Sequence, residues 1–155
     1  MDLKQYFDAY QFDSKRLEDN RIGCCLDFFD ECFNNDLCSY DIFIIGVPEG
    51  RLSLGNESCD LAPDEIRSFL YVLYEGEWDL KILDLGNLRI GQTVEDTYAI
   101  LEQLTTYLIE KGGVLLVFGG GHDLMTPIYK GHSALGKPLN FASADAYLDF
   151  QDGDS

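Results

Sequence analysis

Val114-Leu115-Leu116-Val117-Phe118-Gly119-Gly120-Gly121-His122-Asp123 is the stretch that decides how this chain is read. Five consecutive apolar residues, with no polar residue alternating among them, predict a strand. Three glycines then allow a sharp turn and leave room around the imidazole of His122. A second run, Leu139 to Ala144, reads as another strand and delivers Asp145-Ala146-Tyr147-Leu148-Asp149. Open α/β sheets bind ligands at the carboxyl ends of their strands. Two strands that each end in a burst of imidazole or carboxylate therefore mark a candidate metal site.

The strands on either side of this stretch fit the same architecture. Ile42 to Val47 is a near-continuous apolar run, stopped by Pro48, and Leu80 to Leu85 is another, closed by Gly86-Asn87. Between them, Pro63 suits the first turn of a helix, where its missing N–H is not needed, and Asp64 and Glu65 complement that end of the dipole. Ile66, Leu70, Leu73 and Tyr74 give this helix one apolar face, and Gly76 ends it. Thr93 with Asp96 resembles a capping box. Val94, Tyr98, Leu101, Leu104 and Leu108 follow as a helical stripe, terminated by Gly112-Gly113. Thr126-Pro127 reads as the N-cap and first residue of a short helix. Strands alternating with helices predict an α/β fold with a mainly parallel sheet, right-handed crossovers and helices on both faces. Residues 1–40 are acidic and aromatic-rich and lack a lasting period of two. They are expected to wrap the edge of the domain formed by residues 41–155, with a short helix over Leu26 to Phe33.

Composition narrows the partners. The chain has 155 residues, enough for one domain, and 46% hydrophobic residues, enough for a core. Eleven Lys and Arg against 28 Asp and Glu give a net charge of −17. That balance opposes nucleic-acid binding, which needs a basic face, and opposes an anionic membrane surface. Cys24, Cys25, Cys32, Cys38 and Cys59 are an odd number with a vicinal pair and no C-x-x-C, a poor disulfide or zinc framework. They read as reduced thiols of a cytoplasmic protein. No signal-like leader and no membrane-length apolar run is evident.

The chemistry at the strand ends has two readings. Imidazole from His122 with carboxylates from Asp145 and Asp149 is a mixed N/O donor set suited to Mn2+ or a similar ion. Two such ions could generate a hydroxide nucleophile at neutral pH. In the plainer reading the glycine turn starts the next helix, Asp123 caps it, and Asp145 and Asp149 are turn residues. His132, near the end of the Thr126 helix, reads as a solvated helix-end histidine. No phosphate-binding P-loop, dinucleotide fingerprint or nucleophile elbow is present.

Several short segments, in order, resemble the ureohydrolase superfamily of arginase, agmatinase and formiminoglutamase. Gly46-Val47-Pro48 resembles its first strand end, Leu61-Ala62-Pro63-Asp64-Glu65-Ile66-Arg67 its "GPxxIR" helix start, and Asp84-Leu85-Gly86-Asn87 its "DLGD" segment. Gly119 to Asp123 resembles "GG(D/G)H", and Asp145 to Asp149 resembles "DAHxD". The resemblance covers about residues 41–149, the N-terminal half of the family's fold, and implies an incomplete arginase-like three-layer α/β/α domain. It further implies a Mn2+ pair held in part by His122, Asp145 and Asp149, with Asp149 also catalytic, hydrolysing a guanidino, amidino or formimino C–N bond of a small substrate. Gly121, where arginases commonly have Asp, points to the formiminoglutamase subgroup. Tyr147 stands at the position of the family's motif histidine, and a phenol, with a pKa of about 10, is a poor replacement for imidazole. The family's further D-x-D ligands lie far downstream, and Asp152 with Asp154 follows too closely to match them. The resemblance therefore implies an inactive chain with weak metal binding, and self-association through sheet edges left uncovered. The alternative is a non-catalytic binding or assembly module that kept the fold and lost the dinuclear site.

Overall fold

The computed structural model describes residues 1–155 except 14, 16, 31, 32, 34, 35, 77, 78, 139, 141 and 143–155. Among these residues five strands form one sheet: β1 (Phe7–Asp8), β2 (Asp27–Phe28), β3 (Ile42–Gly46), β4 (Ile82–Leu88) and β5 (Val114–Phe118). Its main order is β1-β4-β3-β5. β3 is central and parallel to both β4 and β5, with Ile42 opposite Ile82 on one side and Val114 on the other. The far edge of β4 carries two short strands end to end. β2 is parallel, with Phe28 opposite Asp84, and β1 is antiparallel, with Phe7 opposite Leu88. The helices are α1 (Ala62–Leu70), α2 (Val94–Glu110) and α3 (Met125–Ser133).

Side-chain alternation along the central strands sorts the core into two halves, as the pleat requires. Phe43, Ile45, Leu83 and Leu85 face Leu101, Leu104 and Leu108 of α2. Ile44, Ile42, Ile82 and Phe118 face Tyr71 and Leu70 at the end of α1. The result is three layers, helix on sheet on helix. Leu101, Leu104 and Leu108 are fully buried, which stabilises the fold by roughly 1.5–3 kcal/mol each. From the first forty residues, Leu3, Phe7 and Phe29 enter the α2 half of the core, and Phe12 and Phe28 pack on Tyr71 in the other.

Local signals set α2. The Thr93 hydroxyl accepts from Asp96 N at 3.1 Å and the Asp96 carboxylate accepts from Thr93 N at 3.0 Å, so the box closes with Asp in place of Glu. After the C-cap Lys111, Gly112 takes φ +98 and ends the helix in the left-handed region.

Elsewhere the structure departs from the sequence-based expectations. α1 ends at Leu70 rather than Gly76, and its buried side is Pro63, Arg67 and the capping residue Tyr71. Ile66, Leu73 and Tyr74, expected on the apolar face, are exposed. β4 runs through Gly86-Asn87 to Leu88, because a bulge against Ile44–Gly46 absorbs the left-handed Gly86 without ending the strand. Asp27–Phe28 is a strand, and Phe29 N bonds Asp84 O at 2.9 Å, where a helix was expected. The helix after β5 does not start at Thr126. A 3-10 turn over His122–Leu124 leads directly into α3 at Met125, leaving Pro127 at its third position, still among the N–H groups without helical partners. Of the strand expected over Leu139 to Ala144, Asn140 and Ala142 are described; both are exposed and neither is in a strand. No described helix is long and apolar enough to cross a membrane.

Candidate metal and catalytic site

Parallel pairing of β3 and β5 places Gly46 opposite Phe118, so the loops that follow leave the sheet side by side. Val47 N bonds Phe118 O at 2.8 Å, and Gly121 N bonds Glu49 O at 2.7 Å, stitching the two loops together. His122 stands exposed at this carboxyl end, on the first residue of the 3-10 turn.

The three glycines before it serve closeness more than turning. Gly121 has φ −71 and ψ 156, available to any residue, and the described left-handed glycines are Gly55, Gly86, Gly112 and Gly136. A methyl on Gly120 would overlap the backbone carbonyl of Glu49, and one on Gly121 would overlap the Asp123 carboxylate and the Ser53 hydroxyl. Gly119 has room, with Leu124 Cδ1 its nearest neighbour at 3.6 Å.

Asp123 does not cap the helix. Its carboxylate accepts from the Tyr98 hydroxyl of α2. Burial, this bond and the nearby charges of Asp123 and Glu49 push the Tyr98 phenol well above its ordinary value. Glu49 is 1% exposed and pairs with Arg51, whose Nε lies 2.9 Å from its Oε1. The same guanidinium donates to Gln92 O at 2.8 Å and Thr97 Oγ1 at 3.2 Å, tying the β3 loop to the start of α2. Hydrogen bonding from Arg51 holds the Glu49 carboxyl below its ordinary value, against the opposing effect of burial.

A second network joins α1 to the end of β4. Arg67 and Asp84 are both fully buried, with Nε–Oδ2 at 2.8 Å and Nη2–Oδ1 at 2.9 Å. Arg67 also donates to Asn87 Oδ1 at 2.6 Å and Gly86 O at 3.0 Å, while the Tyr71 hydroxyl donates to Asp84 at 2.6 Å. Burial opposes the charge on Arg67, but Asp84 outweighs it and the guanidinium is held above its usual value. A Cβ on Gly46 would strike Asn87 and Arg67, so that glycine admits the network to the strand end. Asn87 donates its amide to Asp64 at 2.8 Å. A carboxylate there would face Asp64 with like charge. The helix-start and strand-end motifs are thus two halves of one bidentate ion pair.

Of the candidate ligands, His122 is placed by the structure, whereas Asp145, Tyr147 and Asp149 lie outside the described residues. Among the described residues no three His, Cys, Asp or Glu side chains gather to hold a metal. Cys24, Cys25, Cys38 and Cys59 are free thiols. His132 lies in the last turn of α3 as expected, but it is half-buried rather than solvated. Its Nδ1 is buried without a hydrogen-bond partner among the described residues, on a cavity of about 310 Å3 that Thr105 also lines.

Glu49, Arg51 and Tyr98 are not legible as site residues in the sequence. Glu49 and Arg51 sit in a loop without motif, and Tyr98 counts as one more apolar position of α2. Arg67 had a usable signal: Pro63, Arg67 and Leu70-Tyr71 share one helical face at spacings of four and three to four.

Parallel strands between helical layers, with an imidazole at adjoining carboxyl ends, define an α/β fold of the kind that binds ligands there. The arginase family profile matches residues 40–155, and the chain belongs to that family. It is 28% identical over 102 residues to the formimidoylglutamase of Legionella pneumophila strain Lens, covering 65% of this chain and 32% of the relative. The chain therefore spans about a third of the length of the curated relatives it matches. Among solved structures it resembles the Trypanosoma cruzi formiminoglutamase with Mn2+ (TM-score 0.59, 24% identity, 72% of this chain and 39% of that one). It also resembles an arginase superfamily protein from the same organism (TM-score 0.52, 26% identity, 63% of this chain and 39% of that one).

Proposed function

We propose that this chain carries part of a Mn2+-dependent ureohydrolase site for a formimino or guanidino C–N bond, with little or no activity of its own. The observation that supports it is His122, fixed at the carboxyl end of β5 against the loop of β3, in a chain of the arginase family. His122, Asp145 and Asp149 are the proposed ligands, an imidazole–carboxylate set that fits Mn2+. Bound manganese would supply Lewis-acid activation of water at neutral pH. His122 would offer a ring nitrogen, Asp145 and Asp149 carboxylate oxygens, and Asp149 would also orient the proton of the attacking water. Tyr147 supplies a neutral phenol where an imidazole is expected, weakening one ion. Calorimetric titration of Mn2+ into the parent and into His122→Ala tests the site. Binding abolished by the substitution supports it, and a parent that binds no Mn2+ sinks it.

A second reading, a non-catalytic assembly module, is favoured by β5. Among the described residues nothing pairs with its outer edge, and Val114 and Leu116 are 66% and 42% exposed. No charge lies within Val114–Phe118 although the chain carries −17. In this reading a second copy pairs along that edge. Light scattering of the parent and Leu116→Lys is the check: a dimer that the lysine dissolves is expected, and a monomeric parent refutes it.

A further inference from the structure

The bonds around His122 close into a ring. Gly121 N donates to Glu49 O, the Glu49 carboxylate holds Arg51, Arg51 reaches Thr97 on α2, and the next helical residue, Tyr98, donates to Asp123. Asp123 is two residues from Gly121, so the circuit returns to its start with His122 between the two closing positions. Arg51 also donates to Gln92 O, so the ring is tied to the loop before α2 as well. The backbone carbonyl and carboxylate of Glu49 fix the β3 loop, Thr97 and Tyr98 lend the rigidity of α2, and Asp123 lies folded beneath Gly121. Thr97 is fully buried, and its hydroxyl also accepts from Gly91 N at 2.9 Å, so the helical end of the ring is itself anchored.

We propose that Tyr98 and Arg51 are positioning residues for His122, gripping its turn from opposite ends of this ring. The proposal rests on the metal reading for its purpose but not for its geometry. His122 lies between Gly121 and Asp123, the two residues at which the ring closes. Restraining the residues on both sides lowers the conformational entropy lost when the imidazole takes up a ligand, and that raises affinity without any direct contact. Neither Tyr98 nor Arg51 would touch metal or substrate.

The test uses NMR of the full chain in four forms: parent, Tyr98→Phe, Arg51→Gln and, as a control on the same helix, Tyr107→Phe. Amide exchange at Gly121 is compared with that at Ile45 in the core, and relaxation of the His122 ring is followed with and without Mn2+. Losing a hydrogen bond to a charged group should speed Gly121 exchange by about ten- to a hundredfold in Tyr98→Phe. Arg51→Gln should act in the same direction, Ile45 should stay within about twofold of the parent, and Tyr107→Phe should change neither. The His122 ring should gain motion, and Mn2+ should bind more weakly at the same folded fraction. Unchanged Gly121 exchange overturns the proposal, as does acceleration equal to that at Ile45, or unaltered Mn2+ affinity despite a loosened turn. A parent whose His122 signals ignore Mn2+ refutes the metal reading alone, and the exchange and ring data still decide whether Tyr98 and Arg51 hold the turn.

Discussion

Arg67→Met isolates the bond on which the helix-start and strand-end motifs converge. Both partners of the Arg67–Asp84 pair have no solvent exposure, and two hydrogen bonds of 2.8 and 2.9 Å join them. The substitution keeps much of the volume and removes the charge. Asp84 would retain the Tyr71 hydroxyl at 2.6 Å and Gly86 N at 2.9 Å, but no counter-ion. Asn87 Oδ1 and Gly86 O would lose a donor as well. Removing one member of a buried pair costs about 3–5 kcal/mol. For a chain of this length that lowers Tm by about 6–20 °C, and moves the urea midpoint by about 1–3 M. Urea unfolding followed by circular dichroism measures it. The double variant Arg67→Met/Asp84→Asn completes a cycle and should lose at least about 1 kcal/mol less than the two single losses added together. A cost below about 1 kcal/mol for Arg67→Met, or strict additivity in the cycle, would refute the claim that this ion pair locks α1 to β4.

Two further outcomes follow from the site. Gly119→Ala should change stability by less than about 0.5 kcal/mol, whereas Gly120→Ala, which must displace the Glu49 backbone, should cost about 1–3 kcal/mol; equal effects in thermal unfolding would show that closeness is not what the glycines provide. Glu49 lies below its ordinary value of 4.5 because Arg51 bonds its charged form, so its stabilisation is present above that value and is lost as pH falls through the lowered one. The stability gap between parent and Glu49→Gln should therefore be widest near neutral pH and close on acidification, and a gap that widens below pH 4.5 would contradict the assignment.

The elements whose local pattern agrees with their packing were readable in advance. β3 is a near-continuous apolar run buried along its length, and α2 has its stripe, its box and its glycine stop; β5 is apolar throughout, yet Val114 and Leu116 are exposed. Counting apolar residues does not find the buried face of α1, because that helix buries an arginine whose partner is on β4. No periodicity reveals that Asp84 waits there. Gly86-Asn87 looks like a stop when seen alone, and becomes strand only with Gly46 and β1 beside it. At the site, the position of His122 at a strand end could be inferred from sequence. Its surroundings could not, since Glu49, Arg51, Tyr98 and Asp123 meet through loops distant in the chain. The carboxylates expected to complete the set, Asp145 and Asp149, fall outside the described residues.

β1 and β2 both lie along the outer side of β4, one covering Leu83 and Asp84 and the other Asn87 and Leu88. They give the sheet a polarity that matters for crowding. A sheet bare on both sides can recruit a neighbour on each and propagate without limit, the geometry of fibres. Here the β4 side ends in two strands of only two residues each, which offer a neighbour little backbone to pair with. Among the described residues the long unpaired edge is that of β5. Two molecules joined through β5 would use both long edges at once, which favours a closed pair over a fibre.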